Sequence, residues 1–120
     1  MLDKNQLLLE LKNFYGSETF YKNPLFPMFR YTEGVRFVAV NAGAYWLLNE
    51  VFGHQFIEPF KDEPFQVWKL KVAENHTATI TVEDGNYKIL KIIKLEFTDF
   101  PLDDFTLWLT DNTLLLPSEY

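Results

Sequence analysis

The apolar residues of this chain change their period at a polar connection around residues 54–64, and any fold must accommodate both patterns. Beyond the connection, Ala78, Ile80 and Val82 alternate with Thr77, Thr79, Thr81 and Glu83, the signature of a half-buried strand. Phe65–Val72 predicts the strand before it, joined through Glu74-Asn75-His76. Asp84-Gly85-Asn86 is a hairpin signal leading into a long strand over Tyr87–Phe97. Apolar residues fall on both faces of that strand, so a bulge or double-sided burial is expected. Thr98–Asp104 breaks the sheet, Phe105–Leu109 is the last clear strand, and Leu114–Leu116 adds a short one.

Before the connection the spacing is helical. Asp3 and Gln6 form a capping-box pattern, Leu7, Leu8, Leu11, Phe14 and Tyr15 follow at helical spacing, and Gly16 fits a left-handed stop. A helix from about residue 4 to residue 15 is predicted. Asn23–Pro27 reads as an ordered loop, because neither proline can donate to a ladder. Phe29–Tyr31 and Val35–Val40 flank Thr32-Glu33-Gly34 and read as a hairpin. Ala44–Phe52 carries an apolar face wide enough for a buried helix, with Gly53 as its stop. The connection that follows, with Pro59 and Pro64, is expected to be the most mobile. Helix, hairpin, helix and meander together predict an α+β domain over residues 1–120: a mostly meander, antiparallel sheet with two short helices packed on one face.

Composition excludes several classes. Hydrophobic residues at 48%, with 18% aromatics, are incompatible with a disordered chain. No cysteine means no disulfide and no thiolate ligand or nucleophile, which suits a reducing cytoplasm. The N-terminal residues lack the pattern of a signal peptide, and no apolar run approaches the ~20 residues of a membrane span. Asn75-His76-Thr77 matches a glycosylation sequon but, without a secretory signal, reads as a turn. The net charge is -6, and all of it lies in residues 95–120, where Glu96, Asp99, Asp103, Asp104, Asp111 and Glu119 meet no basic residue. With no net basic excess, direct nucleic-acid binding is not expected.

Reactive chemistry is thinly supplied. Ser17 and Ser118 lie in no nucleophile elbow, and Ser17 reads more simply as a turn or cap residue. The five glycines stand singly, so no phosphate-cradling loop is present. His54, Glu58 and Asp62 share helical spacing, but Pro59 and Pro64 deprive it of meaning, and no metal or cofactor is expected. The carboxylates Glu33, Asp99 and the Asp103-Asp104 pair are the acid–base candidates. Asp99 sits between Thr98 and Phe100-Pro101, where it serves either as a turn acceptor or as a group perturbed by an apolar setting. Trp108 stands between Thr106 and Thr110, opposite the face claimed by Phe105, Leu107 and Leu109. It is therefore either a second packed layer or an exposed anchor. Asp99, Asp103, Asp104, Trp108 and Glu119 form the candidate functional patch.

Gly16-Ser17-Glu18, Tyr31–Gly34, Asn41-Ala-Gly-Ala-Tyr-Trp-Leu47, Phe65–Leu70, Asp84–Asn86, Thr98-Asp-Phe-Pro-Leu102 and Leu116–Tyr120 carry a resemblance that covers nearly the whole chain. It resembles an uncharacterised family of small bacterial and mobile-element proteins, a domain of unknown function. The Asn41–Leu47 and Thr98–Leu102 strings are the most specific. The resemblance implies a compact free-standing domain ending at the Leu116–Tyr120 string, and it brings no activity or catalytic residue.

A chain rich in interface-type residues and poor in reactive ones reads first as a non-catalytic interaction module for another macromolecule, with an unknown protein as partner. One alternative is an acidic mimic of nucleic acid that inhibits a basic partner. The other is a small hydrolase or lyase using Asp99 with Glu33 or Glu119, which requires those carboxylates to meet in one pocket. Homodimerisation through a strand edge is compatible with all three.

Overall fold

The computed structural model describes residues 2–16 and 18–120. Among them, the period-two segments assemble with two short upstream strands into one seven-stranded sheet. In chain order the elements are α1 (Lys4–Leu11), β1 (Phe20–Lys22), β2 (Arg30–Thr32), α2 (Glu33–Asn41) and α3 (Tyr45–Gly53). Then come β3 (Phe65–Val72), β4 (Ala78–Asp84), β5 (Ile89–Leu95), β6 (Asp104–Thr110) and β7 (Thr113–Leu115), with 3-10 turns at His54–Phe56 and Pro117–Glu119.

The spatial order is β1-β2-β7-β6-β3-β4-β5. Only β3, β4 and β5 form a simple meander. The chain then returns to lay β6 on the free side of β3, and β7 pairs with β2 in parallel. The sheet is therefore mixed, mostly antiparallel, and less of a meander than the sequence suggests. A register shift between Val82 and Glu83 is the irregularity expected where β5 carries apolar residues on both sides.

The largest correction concerns residues 33–41. The expected hairpin is a helix, so the helical layer holds three helices and not two. Val35, Val38, Ala39 and Ala42 are buried at i, i+3, i+4 and i+7 while Arg36 and Val40 are exposed, and this helical stripe outweighs the β-branched composition. Thr32 caps the helix, its Oγ1 accepting from the Val35 amide at 3.3 Å. Gly34 is not a turn glycine. A Cβ there would lie 2.6 Å from Leu116 Cδ1 and 2.7 Å from Glu119 Oε1, so its missing side chain lets the C-terminal segment close over the helix start.

Helix α1 begins as expected, with Gln6 N–H donating to Asp3 Oδ1 at 2.9 Å, but it ends at Leu11 and Gly16 is not its stop. Helices α2 and α3 are joined by the Asn41-Ala-Gly-Ala corner. Gly43 has φ 60, and Ala44 N–H donates back to Ala39 O at 2.9 Å, a Schellman closure in which Ala42 and Ala44 are fully buried.

The three helices cover one face of the sheet, where Trp68, Leu70, Ile80, Val82, Leu107, Leu109 and Leu114 meet Leu7, Val35, Val38, Leu47, Val51 and Phe52. The connection expected to be mobile is tied to this core. Gln55 and Gln66 exchange reciprocal amide hydrogen bonds at 2.8 Å, Gln66 also donates to the Phe60 and Glu63 carbonyls, and Trp68 Nε1–H donates to Gln66 Oε1 at 3.0 Å. Gln66 is 1% exposed with every polar atom of its side chain engaged. No helix is long and apolar enough to cross a membrane among the described residues.

Candidate functional site

The face of the sheet that the helices leave uncovered holds the site. Because side chains alternate, residues one step out of register with the core strands point the other way. On β3 these are Phe65, Val67, Lys69 and Lys71; on β4 they are Thr79, Thr81 and Glu83; on β6 they are Asp104, Thr106, Trp108 and Thr110. Trp108 stands opposite Val67 and packs edge-to-face with Phe65 and Tyr120, both at 5.4 Å between ring centroids. Phe65 and Tyr120 meet at 5.9 Å and 83°. Trp108 is thus half-buried in an aromatic cluster outside the core, which joins the two readings of it.

A cavity of about 670 Å³ opens beside this cluster, lined by Phe65, Val67, Tyr87, Trp108, Pro117 and Tyr120 with Lys69, Glu83 and Asp84 among its polar members. That volume lies within the range of ligand sites, and so does the mixture of aromatic walls with a few polar groups. The Lys69 ammonium is held by both Glu83 oxygens, at 3.2 and 3.1 Å. Asp84 Oδ1 accepts from the Asn86 and Lys88 amides at 2.7 and 3.0 Å and so shapes the β4–β5 turn.

The turn places Tyr87 at the rim. The slot with left-handed backbone in this turn is filled by Tyr87 (φ 69), and Gly85 does not occupy it. A bulky residue at positive φ is unfavourable where glycine or asparagine would fit, and this one is also 84% exposed. Sequence reasoning missed Tyr87 and Phe65; the Asp84-Gly85-Asn86 signal located the turn but not which residue would bear its strained conformation.

The predicted carboxylates do not gather here. Asp99 is exposed and lines a separate cavity of about 270 Å³ with Trp46, Leu95, Phe97 and Thr98 on the helix side. The local amide of Phe100 donates to Thr98 Oγ1 at 3.2 Å, so the turn-acceptor role considered for Asp99 belongs to its neighbour. Asp103 is ion-paired with Lys4 at 2.6 Å. Asp104 opens β6 on the outer face, opposite Lys71, near neither Asp99 nor Glu119 in register. Glu119 is engaged in capping α2. Its Oε1 accepts from Thr32 Oγ1 at 2.6 Å and from Leu116 N–H at 3.0 Å, and its Oε2 accepts from Gly34 N–H at 3.2 Å. A carboxylate at a helix N-terminus is favoured by the dipole as well as by these donors. Ser118 donates to the Phe14 carbonyl at 2.7 Å, and Ser17 lies outside the described residues.

His54 packs its ring against Phe60 and Trp68, with Nδ1 at 2.7 Å from the Glu50 carbonyl and Nε2 at 3.2 Å from Lys91 Nζ. Among the described residues, no three His, Asp or Glu side chains are grouped so as to hold a metal ion. The Tyr31 hydroxyl is raised above its ordinary pKa, by burial first and then by the neighbouring Tyr45.

The two most specific sequence strings turn out to build the fold. Asn41–Leu47 makes the α2–α3 corner, and Thr98–Leu102 inserts Phe100 and Leu102 into the end of the core while Asp99 stays outside. No curated protein matches the chain, and no solved structure matches it. The chain matches a family model described as a family of unknown function, DUF6876, over residues 5–120, and it belongs to that family.

Proposed function

We propose that the protein is a small non-catalytic interaction module that docks another protein on the uncovered face of its sheet. The observation that carries this reading is the aromatic cavity of about 670 Å³ beside Trp108, on a sheet face that no helix covers. Aromatic residues supply much of the energy at protein interfaces, because they bury a large area at little entropic cost. Tyr87 adds to the case: its exposed ring costs backbone strain and contributes nothing to the core. The alternatives draw less support. The acidic mimic needs the acids of residues 96–119 to act together, whereas Asp103 pairs with Lys4 and Glu119 caps a helix. The hydrolase or lyase needs Asp99 to meet Glu33 or Glu119 in one pocket, whereas the cavity that Asp99 lines holds neither. The cysteine-free composition suits the cytoplasm as the place of action.

A photo-crosslinking amino acid at Tyr87, compared with one at the exposed Leu9 of α1, tests the reading in cells. The expected result is a discrete adduct from position 87 that is absent from position 9 and disappears when Trp108→Ser is added. Equal labelling from both positions, or an adduct indifferent to Trp108, would contradict it.

A further inference from the structure

We propose, resting on the docking reading above, that the outer-face cavity seats a cationic side chain, arginine or lysine, presented by the partner polypeptide. Three charged residues line the cavity. Lys69 is neutralised by Glu83, which grips its ammonium with both oxygens. Asp84, at the rim where β4 enters the turn, adds a negative charge that accepts the Asn86 and Lys88 amides and has no ion pair among the described residues. Around these groups stand Phe65, Tyr87, Trp108 and Tyr120, whose ring faces carry the negative end of the aromatic quadrupole. A ring-lined cavity with net negative charge favours a cation over a neutral or anionic group, and more so as the cation is desolvated.

The chain itself shows how such rings are used. Its two arginines both lie over aromatic faces, Arg30 at 4.4 Å from the Phe20 centroid and Arg36 at 4.9 Å from that of Tyr21. Among the described residues, no arginine or lysine is seated in this way over Phe65, Tyr87, Trp108 or Tyr120. The cavity therefore offers ring surface of the same kind, with no described arginine or lysine seated over it. Its volume exceeds what one long basic side chain needs, which leaves room for the flanking backbone of a polypeptide.

The experiment is a titration of the isotopically labelled full chain with acetyl-glycyl-arginyl-glycine amide, followed at the Trp108 indole N–H and the Gly85 and Tyr87 amides. The lysine, citrulline and glutamate counterparts of the peptide serve as comparisons. The arginine and lysine peptides are expected to shift these signals, and the neutral citrulline peptide to bind about tenfold more weakly. Two variants fix the sign of the electrostatics. Asp84→Asn keeps the oxygen that accepts the turn amides but removes the charge, and is expected to weaken the cationic peptides several-fold. Lys69→Gln removes the one positive charge that lines the cavity among the described residues, and is expected to tighten them. Equal binding of the citrulline peptide, preference for the glutamate peptide, no shift with any peptide at tens of millimolar, or tightening by Asp84→Asn would each overturn the assignment. If that happens while the crosslink from position 87 persists, only the cationic seat is lost; if the crosslink fails too, the docking face is lost with it.

Discussion

Trp68 and Trp108 lie on neighbouring strands, one register step apart: Trp68 pairs with Leu107, and Trp108 pairs with Val67. That step sends them to opposite faces of the sheet. Trp68 is 2% exposed, stacks on Phe60 at 5.7 Å, and gives its indole N–H to Gln66. Trp108 is half-buried among Phe65 and Tyr120 beside an open cavity. The same residue type on the same strand pair thus serves the core on one side and a solvent-facing aromatic cluster on the other. The difference teaches that aromatic content alone does not mark a functional surface here; what marks it is an aromatic group held together on the face that no helix covers.

Truncation should separate the two faces by the largest margin. Trp68→Ala removes a fully buried ring and one of the two donors to Gln66 Oε1, with an expected loss of about 3–5 kcal/mol in denaturant unfolding. Trp108→Ala should cost only about 1–2 kcal/mol, because its ring is partly exposed before truncation. Comparable losses would erase the distinction. Gln66→Leu probes the core side without changing its volume much. It leaves the Trp68 indole, the Gln55 amide and two carbonyls short of partners, and an unfolding measurement should record a loss of about 2–3 kcal/mol.

Gly34→Ala tests the join between α2 and the C-terminal segment that carries Tyr120 onto the outer face. The added methyl meets Leu116 and Glu119 inside contact distance, so a loss of about 1–3 kcal/mol is expected, together with a weaker adduct from position 87. The smallest effect on stability has the opposite sign. Tyr87→Gly relieves positive-φ strain and should raise stability by up to about 1 kcal/mol while weakening partner binding. A variant that gains neither stability nor a binding defect would remove Tyr87 from the account.

The strand half was readable because its alternation is local. Phe65–Val72 appears as β3 with the expected bounds, and the period-two pattern already set Trp108 against Leu107 and Leu109. The N-terminal half was harder to read for two physical reasons. In residues 35–42, valines that favour strands occupy helical spacing, and burial against the sheet decides in favour of the helix. The role of Glu119 depends on Thr32 and Gly34, more than eighty residues earlier, and the parallel β2–β7 pair spans a similar separation. Long-range pairing of this kind leaves no periodic trace. The acidic segment was visible as composition, but where each carboxylate ends up depends on the crossover from β5 to β6, which local pattern does not specify.

The most direct measurement compares Trp108→Ser with Trp46→Ser, a half-buried tryptophan on the helix side, for affinity toward the partner crosslinked at position 87. The account predicts at least about a tenfold loss of affinity for Trp108→Ser, with circular dichroism and unfolding still showing a folded chain, and near-native affinity for Trp46→Ser. Loss of affinity in Trp46→Ser, with Trp108→Ser binding as wild type, would place the working surface on the helical layer and contradict the account.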